Sequence, residues 1–192
     1  MAGLAALVGL PGSGKTAIGR RLGQRLGIPF VDSDQVIEER IGCSIREYFE
    51  REGEERFRDV EQTVIAELAA SAEGVVATGG GSVLRPVNRV QLRSGFHVIY
   101  LRSSPEDLFR RLRHDVKRPL LQVADPLGRL RELHTVRDPL YRETAHDVID
   151  TGRPSVAVLV NLLVMQLELA GIVASGEASG VNGGEARGGP ES

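Results

Sequence analysis

The segment GLPGSGKT, residues 9–16, fits the spacing G-x-x-x-x-G-K-[ST] of a phosphate-binding loop. An apolar run, residues 4–8, precedes it, and residues 16–26 follow with an apolar side chain at every fourth position from Ile18. Glycines allow backbone N–H groups to surround an anion, and the N-terminus of the following helix attracts the same anion. A Gly-rich turn that matches by chance would not need a strand before it and a helix after it. The context therefore predicts a nucleoside triphosphate site.

Two side chains of this loop suit the chemistry of a triphosphate. Lys15 supplies a point charge for the β- and γ-phosphates, and the Thr16 hydroxyl is an oxygen ligand of the kind that Mg²⁺ prefers. The loop alone does not indicate which molecule receives the phosphoryl group.

Composition limits the number of domains and the classes of partner. The 192 residues are enough for one well-buried domain and too few for two. The net charge is −2 at pH 7 and the arginines are scattered, so no overall field attracts nucleic acid. Cys43 is the only cysteine, which excludes an internal disulfide and suits a reducing cytosol.

The two ends of the chain differ in character. Residues 1–10 lack a basic start and lead directly into the phosphate loop, so we expect a core strand there and not a signal peptide. No stretch reaches the roughly eighteen apolar residues of a membrane span. Residues 174–192 are rich in Gly, Ser and Glu, which predicts a disordered tail after a single domain over residues 1–173.

Short apolar runs alternate with helical patterns, which predicts parallel strands joined by helices in an α/β sandwich. The predicted strands are residues 4–8, 30–31, 74–77, 98–101 and 148–149. The predicted helices include one opened by a Ser44–Glu47 capping box, one over residues 54–70, one beginning at Pro105, one from near Pro126 to residues 137–141, and one over residues 155–170 that stops at Gly171. Ligands of such sheets bind at the carboxyl ends of the strands, where several polar clusters fall.

Asp32 and Asp34 follow the second predicted strand. Residues two apart in extended chain point to the same side, so both carboxylates would face one ligand. One would reach Mg²⁺ through water, and the other would accept a hydrogen bond from a substrate hydroxyl. The alternative is that Ser33 or Asp34 caps a helix over residues 35–40, and one carboxylate can also serve both purposes.

Arg58 and three consecutive glycines are candidates for binding an acceptor. Arg58 follows the apolar Phe57 near the start of a helix, where an arginine is usually solvated. A guanidinium held in place there would form a bidentate pair with a substrate carboxylate. Gly79, Gly80 and Gly81 end the third predicted strand, and because a turn needs only one or two glycines, the third favours close contact with a ligand.

The segment RHDVKRPLLQVAD, residues 113–125, shows no periodicity and predicts a mobile lid at about residues 112–125. Within it, Lys117 and Arg118 lie together, and Arg118 would stabilise the charge of a transferring phosphoryl group. The alternative is a solvated basic loop. Arg137, in RDPLY, would be a second carboxylate ligand or the charge at a helix C-terminus. The histidines share no metal-ligand spacing and receive no catalytic role: His97, His114, His134 and His146.

Taken together, these motifs resemble the shikimate kinase family. The resemblance rests on GLPGSGKT, the Asp32–Asp34 pair, GEERFR ending at Arg58, TGGG, KRPLL in the lid and RDPLY, in this order over residues 4–170. It implies a P-loop, nucleoside-monophosphate-kinase-like fold in which helices sandwich a five-stranded parallel sheet of order 2-3-1-4-5. It also implies transfer of the γ-phosphoryl of ATP to the 3-hydroxyl of shikimate, toward chorismate and the aromatic amino acids.

The resemblance further implies a set of site residues. Asp34 would hold the reacting hydroxyls, with Lys15 and Arg118 as the other catalytic residues, and Arg58 and Arg137 would bind the shikimate carboxylate. Gly79, Gly80 and Gly81 would line the substrate. The ATP site would comprise Gly12, Ser13, Gly14, Lys15, Thr16, Ala17 and Arg118, with Arg111 and Arg153 on the adenine side. One Mg²⁺ per subunit would bind Thr16, with Asp32 behind it through water. The family often has Ser at the position of Thr16, and the hydroxyl is retained.

The expected partners are small molecules only. ATP would be the co-substrate and shikimate the acceptor, and neither nucleic acid nor a membrane is expected to bind. The resemblance implies a cytoplasmic monomer.

Other functions on the same fold remain as alternatives. A nucleoside-monophosphate kinase normally recognises its base with an aromatic or a specific polar slot, and this chain has few aromatics and no Trp. A gluconate kinase also binds a carboxylate, but Arg58, TGGG and R-x-P-L-Y together weigh against it. A GTPase would need N-K-x-D, which the sequence lacks. A nucleotide-dependent regulator without turnover is the alternative from another class.

Overall fold

The computed structural model describes residues 4–113 and 123–174. Within them, five parallel strands form one sheet in the order β2-β3-β1-β4-β5. The strands are β1 (Ala5–Val8), β2 (Phe30–Asp32), β3 (Val75–Ala77), β4 (His97–Arg102) and β5 (Asp147–Asp150). This order confirms the implied topology. The inner strands β1, β3 and β4 are buried along most of their length because a parallel sheet is covered on both faces, whereas the edge strand β5 is largely exposed.

Eight helices in the described residues connect and cover these strands. They are α1 (Lys15–Leu26), α2 (Ser33–Ile41), α3 (Ile45–Glu52), α4 (Glu54–Ser71), α5 (Pro86–Gly95), α6 (Pro105–Leu112), α7 (Pro126–Thr144) and α8 (Val156–Leu169). Side chains of a strand alternate between the two faces, so Ala5 and Leu7 pack toward α1 and α8. Ala6 and Val8 pack toward α4, α5, α6 and α7 on the other face. A small third cluster joins α2, α3 and α4.

Most predicted helix boundaries agree with the structure. The Ser44 hydroxyl accepts from the Glu47 N–H at 3.1 Å and opens α3. Pro105 lies in the first turn of α6, and Ser155 caps α8. Gly171 follows that helix with a φ of +68°, a left-handed conformation that glycine adopts without strain.

The predicted end of α7 is wrong. The helix continues through Pro139 to Thr144, although proline removes a backbone N–H and crowds the preceding turn. Tyr141 and Thr144, which follow the proline, are fully buried against the sheet. Their packing outweighs the lost hydrogen bond, because most helical stability in proteins comes from tertiary contacts.

Two predicted segments lie outside the described residues. These are residues 114–122, which form most of the predicted lid with Lys117 and Arg118, and residues 175–192 of the predicted tail. At the described edges of the lid, Leu112 ends α6 and Asp125 caps α7. Among the described helices, none combines the length and apolar character that crossing a bilayer requires.

Candidate active site

The carboxyl ends of β1, β2 and β3 surround a cavity of about 370 Å³. Its lining includes the phosphate loop from Pro11 to Ala17, the carboxylates Asp32 and Asp34, and the segment from Thr78 to Gly80. A second cavity of about 320 Å³ shares Gly12, Gly14 and Ala17 with the first. The phosphate loop therefore borders two cavities, one toward β2 and β3 and one toward α6 and α8.

The phosphate loop is held by its own lysine. The Lys15 ammonium donates to the carbonyl oxygens of Gly9 at 2.8 Å and Leu10 at 2.9 Å. Gly12 and Gly14 have φ values of +83° and +92°, which side-chain-bearing residues rarely adopt. Gly14 caps α1 without a side chain, so the helix N-terminus carries its partial positive charge toward the cavity. This arrangement suits a polyphosphate.

Asp32 links the phosphate loop to α2. Its Oδ2 accepts from the Thr16 hydroxyl at 2.7 Å, and its Oδ1 accepts from the Asp34 N–H at 3.0 Å. Asp32 is therefore the helix cap, and the predictions of Ser33 or Asp34 as caps and of extended chain through Asp34 are wrong. The helix begins at Ser33, two residues before the predicted start at residue 35, because the strand ends directly in a capping carboxylate.

The oxygens of Thr16 and Asp32 fit Mg²⁺. They lie within 2.7 Å of each other on the wall of the 370 Å³ cavity, and Mg²⁺ in kinases is bound through one or two protein oxygens plus phosphate oxygens and waters. Among the residues that the structure describes, no group of three or more His, Cys, Asp or Glu side chains is placed to hold a metal ion.

Asp34 lies in the first turn of α2, against Gly79. Burial raises the pKa of Asp34 to about 6, the negative charge of Asp32 adds to this rise, and the positive charge of Lys15 opposes it. A carboxyl group with its pKa close to neutrality is suited to accepting a proton from a reacting hydroxyl.

Arg58 is fixed by a carboxylate that the sequence analysis did not assign. Its Nη1 donates to Glu61 Oε2 at 2.7 Å, and Glu61 is only 2% exposed. Burial raises the pKa of Glu61, and the Arg58 charge opposes that rise. The other edge of the guanidinium donates at 3.2–3.4 Å to Glu54, which is 63% exposed. The spacing of Arg58 and Glu61, three apart on α4, was the signal available in the sequence.

The three glycines after β3 are required by the side chains of the site itself. None of them has a positive φ. A Cβ atom at Gly79 would lie 2.6 Å from Asp34 Oδ1, one at Gly80 would lie 2.7 Å from the Pro11 ring, and one at Gly81 would collide with the Arg58 guanidinium. The missing Cβ atoms thus allow this segment to lie against the other parts of the site. Contact between the glycines and a ligand stays a prediction.

Arg137 joins the Arg58 cluster from α7. Its positive charge opposes the rise in the pKa of both Tyr141 and Glu61. Because α7 runs on to Thr144, Arg137 lies inside the helix, and its interpretation as a C-terminal helix charge is wrong. The charges of the two predicted carboxylate ligands, Arg58 and Arg137, therefore act on the same two groups, Glu61 and Tyr141.

The two arginines predicted on the adenine side, Arg111 and Arg153, line different cavities. Arg111 lines the 320 Å³ cavity and donates to the Thr151 carbonyl oxygen. Arg153 instead lines a neighbouring cavity of about 560 Å³, while the adjacent Pro154 borders both cavities. The role of Arg153 in binding adenine stays a prediction. The role of Arg118 on the phosphates also stays a prediction, because this residue lies outside the described residues.

Comparisons with known proteins agree on one family. A family model described as shikimate kinase matches residues 11–168. A shikimate kinase of Paracidovorax citrulli is 60% identical over 169 residues, which cover 86% of this chain and 92% of that protein. Another, from Ralstonia nicotianae, is 58% identical over 172 residues, covering 90% of each.

Solved structures extend this likeness to the fold. Shikimate kinase from Acinetobacter baumannii in complex with shikimate is 43% identical with a TM-score of 0.80, over 88% of this chain and 93% of that one. A gluconokinase from Sinorhizobium meliloti is 17% identical with a TM-score of 0.53, over 88% of this chain and 93% of that one. At this low identity the second likeness is one of fold alone.

Proposed function

The chain belongs to the shikimate kinase family, and we propose that its residues divide the family reaction between a phosphate site and a carboxylate clamp. The activity is ATP-dependent transfer of the γ-phosphoryl group to the 3-hydroxyl of shikimate, giving shikimate 3-phosphate and ADP. This step leads toward chorismate and the aromatic amino acids. The term carboxylate clamp here denotes Arg58 and Arg137.

The phosphate site binds ATP through the loop from Gly12 to Ala17. Lys15 and the N-terminus of α1 carry positive charge beside the β- and γ-phosphates. Arg111 lies in the cavity on the adenine side of the loop. Mg²⁺ would bind Thr16, with Asp32 behind it through water, and would neutralise charge on the phosphate oxygens. We propose one such ion per subunit.

Asp34 acts on the acceptor hydroxyl. Its carboxylate lies on the wall of the same cavity as the phosphate loop, so a hydroxyl that it holds faces the γ-phosphate. With its pKa raised to about 6 by burial, Asp34 is ionised at neutral pH and ready to take the proton of that hydroxyl. Phosphoryl transfer depends mainly on positioning and on charge stabilisation, which these residues supply.

The carboxylate clamp holds the other end of the acceptor. Glu61 accepts a hydrogen bond from one edge of the Arg58 guanidinium and would stay bound there. The exposed Glu54 accepts longer hydrogen bonds from the other edge. A substrate carboxylate would replace Glu54 and form the bidentate pair that the guanidinium geometry favours. Arg137 adds a second positive charge, and Gly79, Gly80 and Gly81 border the space between the clamp and Asp34.

One observation carries this proposal. Gly79 lies against Asp34 and Gly81 lies against Arg58, so one short segment holds the reacting carboxylate and the clamp at a fixed separation. A small acid with hydroxyl groups fits that spacing, because its carboxylate would bind the clamp while a hydroxyl reaches Asp34.

The remaining assignments belong to the same proposal. Arg118 would close over the transferring phosphoryl group, as the family resemblance implies. The protein would be a cytoplasmic monomer that binds only shikimate and ATP, as the family resemblance implies. The small net charge agrees with the absence of a nucleic-acid partner, and the single cysteine suits a reducing cytosol.

The test is an acceptor panel. ADP release from Mg-ATP is measured with no acceptor, with shikimate, with gluconate and with AMP. We expect ADP only with shikimate. Release with gluconate or AMP would reassign Asp34, Arg58 and Arg137, whereas ATP binding without any stimulated turnover would favour the nucleotide-dependent regulator.

A further inference from the structure

Tyr141 is a buried tyrosine whose hydroxyl reaches the substrate-lining glycines. It lies on α7, is 0% exposed, and donates to the Gly80 carbonyl oxygen at 2.5 Å. Gly80 is 61 residues away in sequence, so this bond joins α7 to the segment after β3. Nothing in the phosphate chemistry described above uses it.

The same phenol lies on the face of α7 that carries Arg137. The two residues are four apart, a spacing that places side chains on one face of a helix. The positive charge of Arg137 opposes the rise in the pKa of the phenol, so the guanidinium lies near it. The bond from Tyr141 to Gly80 therefore joins this face of α7 to the segment after β3.

The surroundings keep this phenol rigid and protonated. Its ring packs against Tyr100 with the centroids 4.9 Å apart, whereas the Tyr100 hydroxyl donates to Asp138 Oδ1 at 2.9 Å. Burial raises the pKa of Tyr141 to about 12 and outweighs the opposing effect of Arg137, so the O–H is retained at neutral pH.

We propose that Tyr141 is a positioning residue for shikimate. Its hydrogen bond to the Gly80 carbonyl fixes α7, which carries Arg137, relative to the glycines, so the part of the site that binds the carboxylate and the part that lines the ring keep one separation. A site that is held in its binding geometry beforehand loses less conformational freedom when the ligand binds. This inference rests on the proposed carboxylate clamp.

Tyr141→Phe tests it with Tyr100→Phe as the matched control. Both variants remove one buried hydroxyl and keep the ring, so their melting temperatures are expected to fall by similar amounts. We expect Y141F to raise the KM for shikimate about five- to tenfold, the value of one hydrogen bond. The KM for ATP should stay within about twofold. Y100F should leave both KM values unchanged.

The double variant R137A/Y141F distinguishes the contribution of Tyr141 to the KM for shikimate from that of the carboxylate clamp. If Tyr141 acts through Arg137, adding Y141F to R137A raises the KM for shikimate much less than Y141F does alone. A raised KM in R137A with a normal KM in Y141F would overturn the role of Tyr141 and leave the clamp intact. An unchanged KM in R137A would overturn the clamp and this inference with it. Equal defects in Y100F and Y141F would show general loosening of the core, which also overturns it.

Discussion

The raised pKa of Asp34 suits a catalytic base and lowers the stability of the folded protein at neutral pH. Burial raises its pKa from 3.8 to about 6, so the folded protein holds this proton more tightly than the unfolded chain does. Stability gained from that proton is present at low pH and is lost as the pH rises through about 6. At neutral pH the site therefore carries an ionised carboxylate that the fold disfavours, which is common where a group is tuned for chemistry.

Replacing Asp34 with Asn should therefore stabilise the protein at pH 8. At about 1.4 kcal/mol per pKa unit, the shift from 3.8 to about 6 corresponds to a penalty of about 3 kcal/mol, or roughly 6–12 °C in melting temperature. The advantage of Asp34→Asn should shrink as the pH falls from 8 and vanish near pH 4. Melting temperatures of both proteins across this range check it, and a pH-independent difference would contradict the assigned cause.

Glu54 and Glu61 bind the same arginine with opposite consequences. Glu61→Gln should raise the KM for shikimate about tenfold and lower the melting temperature, because it leaves Arg58 without its buried partner. Glu54→Gln should leave that KM unchanged or lower it, because exposed pairs contribute little and Glu54 occupies the edge that a substrate carboxylate needs. Steady-state kinetics with shikimate varied at fixed ATP distinguish them, and equal effects would count against the displacement of Glu54.

At this scale the sequence indicated Asp34, Arg58 and Arg137 but not their neighbours. Glu61 looks like one more charge on an amphipathic helix, and Tyr141 looks like an ordinary core aromatic. The spacing of Arg58 and Glu61 on α4 indicates that they can pair but not that Glu61 is buried. The bond from Tyr141 to Gly80 is a tertiary contact, which helical spacing does not reveal.

At the scale of elements, the three glycines after β3 act as one unit. They stay close to the side chains around them because none has a Cβ, and not because the backbone needs a left-handed conformation. In the sequence, three glycines exceed the needs of a turn and therefore predict contact with a ligand. The structure adds a second reason, since Asp34, Pro11 and Arg58 occupy the space.

Alanine substitutions at Gly80 and Gly81 should affect different parts of the site. Gly81→Ala should raise the KM for shikimate tenfold or more, roughly the cost of one misplaced charged partner, because its Cβ displaces the Arg58 guanidinium. Gly80→Ala should also raise the KM for ATP, because its Cβ meets Pro11 of the phosphate loop. Both KM values are measured for each variant. A Gly81→Ala protein with a normal KM for shikimate would contradict this account.

Among the elements, strands and most helices were predictable because their apolar periodicity is local. The end of α7 was not, since a proline normally indicates a boundary, and only the burial of Tyr141 and Thr144 against the sheet keeps the helix going. The cap of α2 was predicted at the wrong residue, because Asp32 belongs to the strand and also caps the helix that follows it. Asp32 serves as strand end, helix cap and Thr16 partner together.

At the scale of the whole molecule, two apolar clusters on either side of one sheet hold the domain. They draw on residues from Leu4 to Val173. The alternation of strands and helices predicted this architecture, but the strand order came from the family resemblance, because local patterns do not determine which strands become neighbours.

Removing residues 175–192 tests the domain boundary. The segment is rich in Gly, Ser and Glu with little to bury, so we expect the truncated protein to keep its melting temperature within about 2 °C and its kcat within about twofold. Thermal unfolding and ADP release of both proteins provide the measurements. A large loss of either property would show that the segment is ordered or contributes to activity.

The central claim is that phosphoryl transfer takes place where Asp34 faces the phosphate loop. The most direct test is kcat for Asp34→Asn with shikimate at saturation, together with the dissociation constant for ATP. We predict that kcat falls by about 10² or more, the usual contribution of a positioned base, while ATP binding changes less than about twofold. Unchanged turnover in the Asp34→Asn protein would contradict the claim and remove Asp34 from the acceptor site.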